Sequence, residues 1–166
     1  METSAKSTGF RSRSSCSKME IVYLEKTGNV RKFKKELEKK LQVSLTIIGR
    51  RVNIEGDSIE EFEAVKVFEA INFGFSAMKA LTLTQDDVVF RKVHIKSHTK
   101  RNLKDVRARL IGTKGKARKT MSEIADCEML IKDGEVGIIG YSENVADVEK
   151  AVIHLIEGAK QGNMYK

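Results

Sequence analysis

Six consecutive residues, Ile111-Gly112-Thr113-Lys114-Gly115-Lys116, decide what chemistry this chain can do. Two glycines bracket a threonine and a lysine, and Arg118 and Lys119 follow at once. Glycine lets the backbone turn sharply and leaves no Cβ between the main chain and an approaching group. Backbone N–H groups at the start of a following helix, under its dipole, favour an anion in that space. The pattern suits phosphate, with Lys114, Lys116, Arg118 and Lys119 as counter-charge and Arg107 and Arg109 extending it upstream. It does not suit a P-loop, whose second glycine falls five residues after the first, against three here. Bases attached to that phosphate chain would lie on an apolar strip from Ile111, Ile124 and the Met129–Ile131 segment.

Other chemistry finds little footing. His94, His98 and His154 are the only histidines, and with Cys16 and Cys127 they give no zinc-ligand spacing. The acid pairs Asp86-Asp87 and Glu60-Glu61 are adjacent, so on a regular element their side chains diverge, and the second pair is explained by helix capping. The expectation is a binding protein, not an enzyme, with no metal and no cofactor.

The charge distribution agrees. The 166 residues carry a net charge of +8, of which 101–120 alone hold eight basic residues and one acidic, while 121–166 are net acidic. A concentrated basic patch favours a polyanion partner. With 40% hydrophobic residues there is ample material for a core, yet no apolar run approaches the roughly 18 residues of a membrane span. The first residues lack the apolar stretch of a secretory signal, and two cysteines make no disulfide framework, so a reducing cytoplasm is the expected location. Aromatics are only 6%, which disfavours RNA modules built on aromatic stacking.

The elements that must position these residues come in two similar units. Residues 1–18, rich in serine and basic side chains, read as a disordered tail. Thereafter Gly28, Arg31, Lys32 and Glu36 are matched by Gly115, Arg118, Lys119 and Glu123 at an offset of 87, and further on Gly56 and Ser58 by Gly140 and Ser142 at 84. A three-residue difference in a hairpin is expected to absorb the slip. In the second unit, 88–95 reads as a strand, and 102–111 as a helix with Leu103, Val106 and Leu110 on one face and Arg107 and Arg109 off it. A second helix over 116–126 should bury Ala117, Met121 and Ile124. Two strands follow, turned by Asp133-Gly134, and Ser142 should cap a last helix striped by Val145, Val148, Val152 and Leu155. The order is β-α-α-β-β-α.

The first unit runs in parallel from a helix over 29–41, through two strands turned at Gly49-Arg50, to a helix with Ser58 to Glu61 as its capping box and Phe62, Val65, Phe68 and Ile71 buried. Its start is shortened or merged. Residues 72–87 join the units with a short helix around 76–83, and Phe73, Phe75, Met78 and Leu81 are expected to dock the halves together. Domains of 19–84 and 85–166 follow.

A GxxG junction between two helices, followed by a β-hairpin, is the sequence image of a KH domain, which clamps about four nucleotides of a single strand. The fold class is therefore α+β, as two tandem type I KH domains, the first with a shortened, degenerate start. Where the second has Gly112-Thr113-Lys114-Gly115, the first has Glu25-Lys26-Thr27-Gly28, placing a carboxylate where phosphate would sit. That half reads as a weak RNA binder through this loop or as scaffold and partner surface, and its Lys32, Lys34, Lys35, Lys39 and Lys40 as a solvated face or a contact to RNA backbone.

The linker INFGFSAMKALTL, the run RARLIGTKGKARKTMSEIADCEMLI, the stretch GIIGYSENVADVEKAVIHLIEGA and the final GNMYK resemble the Dim-two/Partner-of-Nob-one family over about residues 20–166, in its archaeal form. These are tandem-KH assembly factors of the small ribosomal subunit. The resemblance implies binding of small-subunit rRNA near its 3′ end, cooperation with the Nob-type endonuclease that matures that end, and contact with the alpha subunit of translation initiation factor two. The KH loop carries over onto Gly112, Thr113, Lys114 and Gly115. A KRR-type assembly factor is the competing pattern, which the GNMYK ending disfavours, and a protein–protein adaptor with a vestigial RNA groove is the alternative of another class. If the first half is scaffold, Glu25→Gly changes RNA affinity less than acidifying the second loop does. A gain that makes the first loop rival the second would contradict this.

Overall fold

A computed structural model describes residues 19–159 of the chain. The tail assigned to 1–18 and the GNMYK ending lie outside the described residues. The order is β-α-α-β-β-α in the first half and, with one short extra helix, β-α-α-α-β-β-α in the second. The first half comprises β1 (Glu20–Tyr23), α1 (Gly28–Lys32), α2 (Lys34–Leu41), β2 (Ser44–Ile48), β3 (Arg51–Glu55) and α3 (Ser58–Phe73). A linker of α4 (Ala77–Ala80) and a 3-10 turn, Leu81–Thr84, leads to β4 (Val88–His94) and the short α5 (Ile95–His98). Then come α6 (Leu103–Ile111), α7 (Lys116–Ile124), β5 (Glu128–Lys132), β6 (Glu135–Tyr141) and α8 (Ser142–Glu157). Each half builds a three-stranded antiparallel sheet, in the orders β1-β3-β2 and β4-β6-β5.

Both hairpins have two-residue turns, with Ile48 paired to Arg51 and Lys132 to Glu135. In the second, Asp133 and Gly134 both take positive φ, 51° and 113°, as a primed turn requires. The offset between the halves is therefore already 84 at the hairpins. The three-residue slip lies instead between Glu36 and Ser44, where α2 runs on to Leu41 while its counterpart α7 ends at Ile124; separately, Phe33 (φ −104°, ψ 17°) breaks the helix expected over 29–41 into α1 and α2.

Local signals differ from expectation at a few further points. Asp57, not Ser58, is the N-cap of α3: its N–H donates to the Glu60 carboxylate at 3.2 Å, and the Gly56 N–H donates to Glu61 at 3.1 Å. That second bond turns Glu61 inward, so the buried face of α3 runs through Glu61, Ala64, Phe68 and Ile71 and leaves Phe62 63% exposed, with the Lys66 ammonium 4.3 Å from its ring centroid. Met78 is likewise exposed, because α4 is a single turn that buries only Ala77 and Ala80. Ser142 is the first helical residue of α8 and Tyr141 its N-cap; the Ser142 N–H is taken by the Asp87 carbonyl at 2.8 Å.

The second sheet is buried on both faces, and this docks the halves. One face gives Val136, Ile138, Met129 and Val93 to a core shared with Val106, Leu110, Met121 and the α8 stripe. The other places Ile139, Phe90 and Leu130 against the core of the first half. There Phe73, Phe75 and Phe90 form a ring cluster with centroids 5.8–5.9 Å apart. Gly137 lies beneath it, where a Cβ would come within 2.5 Å of the Phe73 ring and 3.0 Å of Phe75. Ion pairs Lys92–Glu69, Lys79–Glu128 and Lys132–Glu25 rim the contact. Gly137→Ala should therefore lower the unfolding free energy by about 1–3 kcal/mol in urea denaturation. An unchanged midpoint would show that the halves are not held in this contact.

Candidate nucleic-acid interface

Helix α6 starts on Asn102, whose side chain accepts from the Lys104 N–H at 3.0 Å, and ends at Gly112 (φ 72°, ψ 177°). A Cβ at Gly112 would stand 2.6 Å from the Ala117 Cβ and 2.9 Å from its nitrogen. The absent side chain is thus what lets α6 and α7 meet. Lys114 (φ 54°, ψ 30°) and Gly115 (φ 75°, ψ 10°) are both left-handed, which throws the loop outward. For lysine that conformation costs roughly 1 kcal/mol. At Gly115 a Cβ would meet open space. The loop also closes on itself: Gly115 N–H donates to the Gly112 carbonyl at 3.2 Å, and Lys116 N–H to that of Thr113. Two of the amides expected to face an anion are so engaged, and the cationic side chains carry more of the attraction than the sequence suggested.

Thr113, Lys114, Lys116, Arg118 and Lys119 are all exposed. Lys119 pairs with Glu123 across one helical turn at 3.6 Å, a solvated pair of little strength. Lys114, Lys116, Arg118 and Arg107 have no ion-pair partner among the described residues. The tip is neither packed inside the protein nor hemmed by carboxylates. Arg107 and Arg109 part company, since Arg109 lines a recess with Arg101, Asp105, Leu155 and Ile156 on the α8 side. Arg118 and Lys119 border a crevice of about 490 Å³ between α7 and the linker residues Lys79, Thr82 and Gln85.

The apolar strip is partly realised. Ile111 is exposed at the end of α6, and Ile131 is half-buried on β5 against the second core. Ile124, expected inside, is 66% exposed. It occupies the last turn of a nine-residue helix whose buried face is complete with Ala117 and Met121, so it projects past its cover. It is free to touch a ligand. Cys127 is buried, and that burial pushes its thiol up to about 11, which leaves it inert. His94 pairs with Glu135 at 2.8 Å and no metal-ligating cluster occurs among the described residues. No helix among them is long and apolar enough to cross a membrane.

The corresponding segment of the first half, Glu25 to Gly28, joins a strand to a helix rather than two helices. Glu25 is exposed and engaged within the protein. Its N–H donates to Asn72 Oδ1 at 2.9 Å, and its carboxylate accepts from Lys132 at 2.6 Å. The hydrogen bond from Lys132 lowers the Glu25 pKa, and the same bond raises that of Lys132. Residues 107 apart in sequence meet here, so no local pattern could have revealed the pair.

Comparison with known proteins places this geometry. Residues 89–166 match the family model for the second KH domain of PNO1, a eukaryotic type KH-domain (KH-domain type I). A KH domain-containing protein of Methanocaldococcus jannaschii is 29% identical over 152 residues, covering 87% of this chain and 66% of that protein; the chain thus spans just under two thirds of that relative's length. A protein of unknown function from Aeropyrum pernix is similar with a TM-score of 0.80 at 26% identity, over 91% of this chain and 88% of its own. Dim2p from Pyrococcus horikoshii gives 0.78 at 26% identity, over 89% and 95%. A complex of a/eIF2alpha, aDim2p and rRNA from the same organism gives 0.78 at 23%, over 92% of each chain, a likeness of fold.

The two loop glycines should separate on substitution. Gly112→Ala meets both positive φ and the Ala117 contact and should cost about 2 kcal/mol or more, whereas Gly115→Ala, strained only in φ, should cost about 1 kcal/mol. Equal losses in thermal or urea unfolding would contradict the close approach at Gly112.

Proposed function

We propose that this chain, whose residues 89–166 match the second KH domain of PNO1, is a member of the Dim-two/Partner-of-Nob-one family of KH proteins and an RNA-binding assembly factor of the small ribosomal subunit. In this reading it is two tandem type I KH units, 19–84 and 85–166. The second clamps single-stranded rRNA near its 3′ end and the first acts as scaffold. One observation carries the reading: an exposed, doubly glycine-hinged tip between two helices, with Lys114, Lys116 and Arg118 unpaired beside it and Ile111, Ile124 and Ile131 available to bases. Phosphates press on the tip and neutralise those cations, while exposed base edges give preference. Arg107 and Lys119 add charge at the flanks; Arg109, turned to α8, contributes field rather than contact.

The chain has no catalytic step of its own in this reading. It presents the rRNA end to a Nob-type endonuclease in the cytoplasm. A Pyrococcus relative stands in a complex with a/eIF2alpha and rRNA, which supports the alpha subunit of initiation factor two as a protein partner. Crosslinking in native extract, with sequencing of the attached RNA, should recover the 3′ end of small-subunit rRNA.

The direct test changes the loop. Thr113→Asp with Lys114→Asp replaces an exposed cation and hydroxyl by two carboxylates and should reduce single-stranded RNA affinity roughly tenfold or more, with the melting temperature unchanged. A folded double variant that binds RNA as tightly as the wild type rules out the clamp.

A further inference from the structure

The apolar strip beside the clamp does not end with the second half. β5 is an edge strand. Ile131, which packs on the core of its own unit, also lines a cleft of about 380 Å³ between β5 and the first half. That volume is in the range of a small-ligand site. Phe73 and Leu130 supply apolar surface to it, and Lys26, Asn29 and Asn72 supply polar groups. Asn72 Oδ1 accepts the Glu25 N–H, which leaves the two hydrogens of its amide without a partner among the described residues. Asn29 makes no side-chain hydrogen bond to any described residue. The one carboxylate of the lining, Glu25, is answered by Lys132, so Lys26 is left as unneutralised charge. Apolar surface beside free amide donors and acceptors suits an unstacked base, whose faces are apolar and whose edges are polar.

Beyond the cleft the first half is cationic. Asn29 lies on α1, and Lys32, three residues on, shares its side of that helix. Arg31, Lys32, Lys35, Lys39 and Lys40 are exposed and have no ion-pair partner among the described residues. Against them α1 and α2 hold one unpaired carboxylate, Glu36, since Glu38 pairs with Lys34 and accepts the Leu45 N–H. Lys35 and Lys39 stand one helical turn apart, where like charges repel. A solvated face gains nothing from that arrangement. A polyanion laid across it relieves the repulsion and releases counter-ions. We propose that an RNA strand longer than the clamp's four nucleotides continues round the edge of β5, seats one base in the cleft against Asn29 and Asn72, and runs its phosphates along Lys32, Lys35 and Lys39. The inference rests on the clamp proposed above and gives the half that supports it a contact of its own, made without a GxxG loop.

Length-dependent binding tests this. A single-stranded RNA of about four nucleotides, the length one KH unit holds, is compared with two of about twelve that extend it at the 5′ or the 3′ end. One extended RNA should bind the wild type roughly tenfold or more tightly than the short one, with a salt slope steeper by about 0.7 for each added phosphate contact. Lys32→Gln, Lys35→Gln and Lys39→Gln together should remove most of that gain and about 2 from the slope. Asn29→Ala should lower affinity for the extended RNA roughly two- to tenfold. Affinity for the short RNA should stay at the wild-type value in both variants, and unchanged melting verifies the fold, since the substituted side chains are exposed. Binding of the short RNA with no gain from either extension overturns the proposal and leaves the clamp standing. A gain that survives the lysine substitutions also overturns it, as does a loss that falls equally on short and extended RNA. A silent Asn29→Ala overturns the base subsite. Failure to bind any RNA overturns this proposal and the clamp together, whereas the Thr113 and Lys114 variants, read on the short RNA, test the clamp alone.

Discussion

A missing carbon atom at Gly112 governs the rest of the site. With the Ala117 Cβ 2.6 Å from where a side chain would begin, α6 and α7 can approach only over glycine. Positive φ at that residue then sends the chain out rather than on. Everything functional hangs on this approach: the left-handed Lys114 at the tip, the exposed Lys116 and Arg118 on the outgoing helix, and Ile111 at the end of the incoming one. Gly115 serves differently. It has open space beside it and gives the backbone its second positive φ. One glycine is needed for packing and the other for direction.

The same economy appears where the halves meet. Gly137 is bare beneath Phe73 and Phe75, so the sheet that forms one wall of the candidate cleft is pressed from behind by the first half. β5 carries Met129 and Ile131 toward the helices of its own unit and Leu130 toward the other core. The first-half segment aligned with the GxxG loop joins this support through its Glu25, which accepts from Lys132 at the end of β5. An exposed ion pair contributes little stability. Its consequence is positional, because it occupies the carboxylate with a protein cation.

Much of this was legible in the residues. Strand alternation and the 3.6-residue period located every strand and long helix, and Asp133-Gly134 fixed its turn, because those signals are local. The GxxG junction was legible because its glycines and cations are contiguous. What escaped were matters of cover and distance. Ile124 and Phe62 share the period of a buried face but lie where no neighbour reaches, or where a capping glutamate has rotated the helix. The slip wrongly expected in a hairpin falls between Glu36 and Ser44, where three extra residues lengthen the end of α2 to Leu41 while α7 stops at Ile124. The parting of Arg107 from Arg109 follows from their two-residue spacing, which puts them on opposing sides of α6.

The central claim is that phosphates are held by a handful of cations around one exposed tip. Its most direct test is the salt dependence of binding to a short single-stranded RNA. Neutralising three or four phosphates predicts a slope of log affinity against log salt of roughly −2 to −3. A slope near zero, with binding retained, would mean that the contacts are not to phosphate and would contradict the account.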